Sequence, residues 1–179
     1  MNKWETLETK IEYENPYFKV IKKAVKSPTG KLGDFYIVDR DNFGVTVPVI
    51  GDSFLMVRQF RQSLERESLE FPMGGSNPGE SLKQCAEREL LEETGHIVKK
   101  LTLLGKAAVA PGHSKQSFEV YLAEDLMDEK AQNLDDFEEG IENELIKIAD
   151  FPELVRTGKI VDVPTLAAYA LYQMHKLKF

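Results

Sequence analysis

Cysteine is nearly absent: Cys85 stands alone in 179 residues, so no disulfide can form within the chain, and the usage suits a reducing cytoplasm. Long apolar runs are missing too. Nothing approaches the roughly eighteen consecutive apolar residues a membrane-spanning helix needs, so no membrane partner is expected. The amino end, MNKWETLETK, has no apolar segment behind a basic start and does not read as a signal peptide. Positive charge is in deficit: 23 Lys and Arg against 30 Asp and Glu leave a net charge of -7. General nucleic-acid binding, which needs a basic footprint, is therefore not expected. The chain also lacks internal repeats and low-complexity linkers. What remains is a soluble globular composition, 42% hydrophobic and 30% charged, long enough for one domain with a small appendage. An acidic substrate would have to be met by a bound cation or by local arginines.

Turn residues organise the first part of the chain. Residues 9–13, 18–24 and 35–38 alternate as strands do, with Asn15-Pro16 and Ser27-Pro28-Thr29-Gly30 between them, and predict a small antiparallel sheet. A boundary within 39–43 divides a small β domain, 1–42, from a main domain, 43–179. Residues 44–50 and 53–59 predict a hairpin turning at Gly51-Asp52. Arg58 and Arg61 beyond it are either solvated surface residues or holders of phosphate oxygens. Further strands are expected in 101–110 and 117–122, with the turn Ala110-Pro111-Gly112-His113-Ser114 between them, where His113 reads as a turn residue. Residues 124–144 are strongly acidic, with Lys130 their single base, and read as a long exposed loop. A strand at 145–148 and a short helix through about 157 follow. Asp162-Val163-Pro164 then starts a last helix, with Leu166, Ala167, Ala170, Leu171 and Met174 as its apolar face.

The chemistry concentrates in residues 74–97. Glycines and Pro78 predict a loop; the run of helix formers from 81 to 93 predicts a helix that Gly95 ends. At 100° per residue, Glu89, Glu92 and Glu93 share an arc of roughly 100° with Leu82, Cys85 and Ala86. Turned inward, these carboxylates repel one another in a low dielectric. Arg88 can pair with Glu92 four residues on but cannot neutralise all three. A hard divalent cation, Mg²⁺ or Mn²⁺, settles the balance. A solvated acidic face is the other reading, and the residue spacing decides between them; Cys85 reads as a small buried hydrophobe.

In order, Gly74, Glu80, Arg88, Glu89, Leu90, Glu92, Glu93 and Gly95 resemble the Nudix box, G-x5-E-x7-R-E-U-x-E-E-x-G-U, with U apolar. The last U is His96, with Ile97 beside it. Pro111, sixteen residues past Gly95, the NPYFKV and FYIVDR segments, and the residues entering the box, FPMGG, extend the resemblance to the branch that hydrolyses ADP-ribose and nucleoside diphosphate sugars. That branch more often has a small residue at Met73. The resemblance implies an α/β/α sandwich around a mixed sheet, plus an N-terminal antiparallel β domain that forms a homodimer. It implies Mg²⁺-dependent hydrolysis of a nucleoside diphosphate sugar, ADP-ribose favoured, to a nucleoside monophosphate and a sugar phosphate. Glu89 and Glu93 are then metal ligands, with Glu92 as a further ligand or orienting group and the Met73 carbonyl as another. Glu142 aligns the attacking water, Glu139 is its rival, and Glu144 reaches a metal once substrate is bound. Arg58, Arg61, Pro111 and Gly112 contact substrate, while Gly74, Glu80, Arg88 and Gly95 build the motif. GDP-sugars and dinucleotides are alternative substrates. A non-catalytic sensor on the same fold predicts loss of the glutamate cluster, which is intact here.

Overall fold

The structure is a computed structural model that describes residues 3–128, 132–134 and 140–177. Strands β1 (Glu5–Glu14), β2 (Lys19–Lys26) and β3 (Leu32–Asp39) form an antiparallel sheet in the order β1-β2-β3. The first turn is closed by the Asn15 side chain, whose Oδ1 accepts the backbone N–H of Tyr17 at 2.8 Å and of Phe18 at 2.9 Å. At the second, the Lys31 N–H donates to the Ser27 hydroxyl at 3.0 Å. All three strands run longer than the alternation in the sequence predicts. Ala108–Ser117 joins this unit, a segment that sequence reasoning assigns to the main domain. It docks through backbone bonds: Val38 N–H to His113 O at 2.8 Å and Lys115 N–H to Val38 O at 3.1 Å.

The second unit comprises Phe43–Ala107 and Phe118–Phe179. Strands β4 (Phe43–Ile50), β5 (Ser53–Arg61), β6 (Arg66–Glu70) and β7 (Met73–Gly75) come first, then helix α1 (Leu82–Thr94). Strands β8 (His96–Ala108), β9 (Ser117–Asp128) and β10 (Glu142–Lys147) follow, with a 3₁₀ turn at Ile148–Asp150 and helices α2 (Phe151–Arg156) and α3 (Val163–Leu177). The sheet order is β10-β5-β4-β9-β8, with β6 on β5 and β7 on β4. Only β4–β9 is parallel among the pairings with a defined register, which makes the sheet mixed. Residues 43–48 of β4 are wholly buried, as suits a central strand covered on both faces. The expected β4–β5 hairpin forms, but its strands pair only at Val49↔Phe54 and Ile50↔Ser53. Beyond that, β4 takes β7 and β9 as partners while β5 takes β6 and β10.

Local chemistry sets the limits of α1. Ser81 and Gln84 form a capping box, Ser81 N–H donating to Gln84 Oε1 at 3.0 Å and Gln84 N–H to Ser81 Oγ at 3.3 Å. Gly95 ends the helix at φ 74. The helix lies close over β4: a Cβ on Gly44 would sit 2.6 Å from the Leu82 carbonyl and 2.8 Å from the Ala86 Cβ. Glycine is therefore the residue that lets strand and helix approach.

Two expectations are corrected, and one strand appears that none of them foresees. The acidic segment is not one exposed loop, because β9 continues to Asp128 and β10 begins at Glu142; cross-strand pairs such as Lys100–Glu124, at 2.7 Å, allow acidic residues in strands. The buried face of α3 is Thr165, Ala168 and Tyr172, while Ala170 and Met174 are exposed. Tyr169 stacks on Phe151 with centroids 4.0 Å apart, and Tyr172 meets Phe54 edge-on at 5.0 Å. Burial of rings, the larger apolar surface, rotates the helix away from its leucine and alanine stripe. Strand β6 has no counterpart in the sequence expectations, since Arg66, Glu67 and Glu70 conceal its alternation. Among the described residues, no helix is long and apolar enough to cross a membrane.

Candidate active site

The site is built where β7 runs beside α1. Backbone at Met73 and Gly74 faces the helix, and the helix returns buried carboxylates: Glu89 is 6% exposed and Glu93 2%. The Met73 N–H donates to Glu93 Oε2 at 3.2 Å. The Cys85 thiol donates to the Gly74 carbonyl at 3.0 Å, and burial pushes its pKa up to about 11, so it is neutral and unreactive at physiological pH. A Cβ at Gly74 would fall on the Glu89 carboxylate itself. This position must be glycine because the carboxylate occupies the side-chain space.

Arg88 is the hub. Its Nε donates to Glu80 Oε1 at 3.0 Å, Nη1 to Glu89 Oε1 at 2.7 Å and Glu92 Oε2 at 2.8 Å, and Nη2 to the Gly75 carbonyl at 2.8 Å. Glu80 also accepts the Asn77 N–H at 2.8 Å. The Glu80 bond, followed by those to Glu92 and Glu89, raises the guanidinium pKa, so its charge is permanent. Arg88 in turn holds the Glu80 carboxyl below its ordinary range, with the Asn77 N–H adding to the effect. Four carboxylates, Glu80, Glu89, Glu92 and Glu93, thus surround one guanidinium or lie beside those that do.

Among the described residues, no three acidic, histidine or cysteine side chains converge on a common point as metal ligands do. Arg88 explains this, since it draws Glu89 and Glu92 onto its own nitrogens while Glu93 turns to the β7 backbone. The donor set nevertheless fits a hard divalent cation. Its oxygens are carboxylate and backbone carbonyl, and two of its carboxylates are nearly inaccessible to water.

Three residues apart on β5, Arg58 and Arg61 point to opposite faces. Arg61 clamps the buried Glu70, 1% exposed, through Nε at 2.9 Å and Nη2. After Glu70, the nearby Asp162 and Glu93 also favour its charge, which sets this pair within the electrostatic reach of α1. Arg58 instead pairs with Glu144 beside a cavity of about 220 Å³ that Leu69, Leu154 and Lys159 also line. Glu142, exposed, opens β10 directly opposite Arg58. Glu142 and Glu144 share one face of β10. Asn143, on the other face, reaches the end of α1, its Nδ2 donating to Thr94 O at 3.0 Å. The structure therefore places Glu144 with Arg58 and brings Glu80, Glu89 and Glu92 together on Arg88, while Glu93 holds the Met73 N–H. Glu139 lies outside the described residues. Pro111 and Gly112 are exposed turn residues of the first unit.

A family model, the NUDIX domain, matches residues 41–168. The chain belongs to the Nudix family. An ADP-ribose pyrophosphatase of Bacillus subtilis (strain 168) is 35% identical over 151 residues, 82% of this chain and 79% of the relative. The ADP compounds hydrolase NudE of Escherichia coli (strain K12) is 34% identical over 86 residues, 48% of this chain and 46% of its own length. A solved structure, the crystal structure of an ADP compounds hydrolase, matches with TM-score 0.86 at 23% identity, covering 96% of this chain and 93% of the other, and confirms the Nudix fold.

Sequence reasoning missed part of this Nudix site. Gln132 and Asn133 bond to the last carbonyls of α1, Asn133 N–H meeting Glu92 O at 2.9 Å and Gln132 Nε2 meeting Glu93 O. The Gln132 amide is isolated in an acidic segment, and the Asn133 contact is made by backbone alone, which no side chain signals. Glu70 is a second functional residue without a counterpart in the sequence expectations; its signal is a charged residue paired with the buried Val57 across the strands.

Proposed function

We propose that this Nudix pyrophosphatase hydrolyses the diphosphate bond of a nucleoside diphosphate sugar, ADP-ribose favoured, with water added to give a nucleoside monophosphate and a sugar phosphate. The observation that carries the reading is the surplus of carboxylate on α1, held against a glycine backbone with one arginine among them. The similarity to a B. subtilis protein named ADP-ribose pyrophosphatase supports the choice of substrate.

Glu89, Glu93, Glu92 and the Met73 carbonyl are the groups that would hold Mg²⁺ or Mn²⁺. A bound ion supplies neutralisation of the diphosphate charge and lowers the pKa of the attacking water. Arg88 orients Glu89 and Glu92, and Glu80 fixes Arg88 from the loop side. Arg61 is anchored by Glu70 through Nε and Nη2, which leaves Nη1 for a phosphate oxygen. Glu142, with Glu139 as its rival, takes the proton of the water. Arg58 and Glu144 serve substrate only by leaving their mutual pair.

The first unit is the dimerisation surface in this reading. Trp4, Ile11 and Phe35 are each more than two-fifths exposed on one face of its sheet, with Leu7 in the β1 bulge beside them, an apolar area that a second copy would cover. The protein works in the cytoplasm as a homodimer. Leu7→Lys with Ile11→Lys should give monomers by sedimentation, and a persistent dimer removes this interface.

The reading is tested by product analysis of the purified protein against ADP-ribose, ADP-glucose, UDP-glucose, GDP-mannose, dinucleoside polyphosphates and nucleoside triphosphates, each with and without Mg²⁺. Monophosphate and sugar phosphate released with metal, fastest from ADP-ribose, support it. Preference for triphosphates or dinucleotides would overturn it.

A further inference from the structure

The C-terminal end of α1 is buried: Thr94 is 4% exposed and Gly95 is also enclosed. The last carbonyls of a helix have no partner within it, and leaving them bare inside the protein is costly. The left-handed glycine Gly95 meets one of them, and no basic residue stands in the final turn to meet the others. The carbonyls are instead met one by one. Gly95 N–H takes Leu91 O at 2.8 Å, Asn133 N–H takes Glu92 O at 2.9 Å, and Gln132 Nε2 takes Glu93 O. Thr94 O receives Asn143 Nδ2 at 3.0 Å and His96 Nδ1 at 2.9 Å. Gln132 also reaches Ile141 O at 3.4 Å, tying the two sides of the acidic segment to each other as well as to the helix.

The amide donors, Asn133 N–H, Gln132 Nε2 and Asn143 Nδ2, carry no charge, and they act on the peptide units of Glu92, Glu93 and Thr94. A cation at the same place would satisfy the carbonyls equally well but would stand beside those two carboxylates and compete with a divalent ion for them. We propose that Gln132 and Asn143 are positioning residues of the metal-binding end of α1: they fix the backbone of Glu92, Glu93 and Thr94 by uncharged donors and so keep the glutamates both placed and available. This rests on the functional reading above, in which those glutamates hold Mg²⁺ or Mn²⁺.

The test is Mn²⁺ titration by calorimetry, without substrate, of the full chain and of Gln132→Met, Asn143→Leu and Gln132→Lys, with thermal unfolding of each. Removing groups that orient a ligand typically weakens metal affinity by about tenfold or more, and both apolar variants should show about that loss. Gln132→Lys, which restores a donor, should hold the unfolding midpoint near that of the parent chain yet weaken Mn²⁺ by about as much. A purely structural cap predicts the opposite, a lysine variant that binds Mn²⁺ as the parent does. Affinity within about twofold of the parent, in the lysine variant or in both apolar variants, would overturn the proposal. A parent chain that binds Mn²⁺ but hydrolyses no diphosphate sugar would sink the functional reading and leave this one standing.

Discussion

Gly74→Ala probes the closest contact in the site. The added methyl group would coincide with the Glu89 carboxylate, which cannot simply swing aside, because it is nearly inaccessible to water and bonded to Arg88 at 2.7 Å. Either β7 shifts away from α1 or Glu89 is displaced and its bond to Arg88 lost. Overpacking of this kind costs about 1–3 kcal/mol. In a chain of this size about 2–4 °C of melting temperature accompanies each kcal/mol, so the midpoint should fall by roughly 2–12 °C. The clash has one partner, so Glu89→Ala should relieve it: in that background Gly74→Ala should cost much less, a coupling of about 1 kcal/mol or more between neighbours. Thermal unfolding of the parent, both single variants and the double variant closes the cycle. Equal cost of Gly74→Ala in both backgrounds would refute the contact as the reason for glycine.

Glu93→Gln should abolish most metal-dependent turnover, about 10²-fold or more, while circular dichroism stays native because an amide oxygen can still accept the Met73 N–H; undiminished turnover would place the ion elsewhere. Glu142→Gln should lower kcat by about 10²-fold with little change in KM, and a loss no greater than that of Glu139→Gln would transfer the role. Asp162 gives a pH signature. Burial, then the neighbouring Glu70, holds its carboxyl above the ordinary value of 3.8, so the ionised form is disfavoured in the folded protein and its contribution to stability declines as pH rises through that value toward the raised one. Asp162→Asn keeps an oxygen for the Thr165 N–H and should gain in relative stability across that window, measured by urea unfolding between pH 3 and 7; a gap independent of pH would contradict the assignment.

Much of this was legible in residue order because the deciding interactions are local. Ser81, Gly95 and the spacing of Glu89, Glu92 and Glu93 fix α1 and its acidic arc within fifteen residues, and turn chemistry at Asn15 and Gly51 marks the strands around them. What was not legible depends on distant partners. Arg58 and Arg61 look alike in VRQFR, and only their neighbours, Glu144 from β10 and Glu70 from β6, show that they serve opposite faces. The face of α3 was misjudged because Phe54, Phe71 and Phe151, which select Tyr169 and Tyr172, come from three separate segments. Gln132 and Asn143 gained their meaning only when the end of α1 came to lie beside them.

Metal-dependent cleavage at the α1 glutamates is the central claim. The most direct measurement is the product distribution from ADP-ribose, with and without Mg²⁺, for the parent chain and Glu93→Gln side by side. AMP and ribose 5-phosphate in equal amounts, from the parent with metal and from neither protein without it, is the predicted result. The same products from Glu93→Gln at the parent rate, or cleavage that needs no divalent ion, would contradict it.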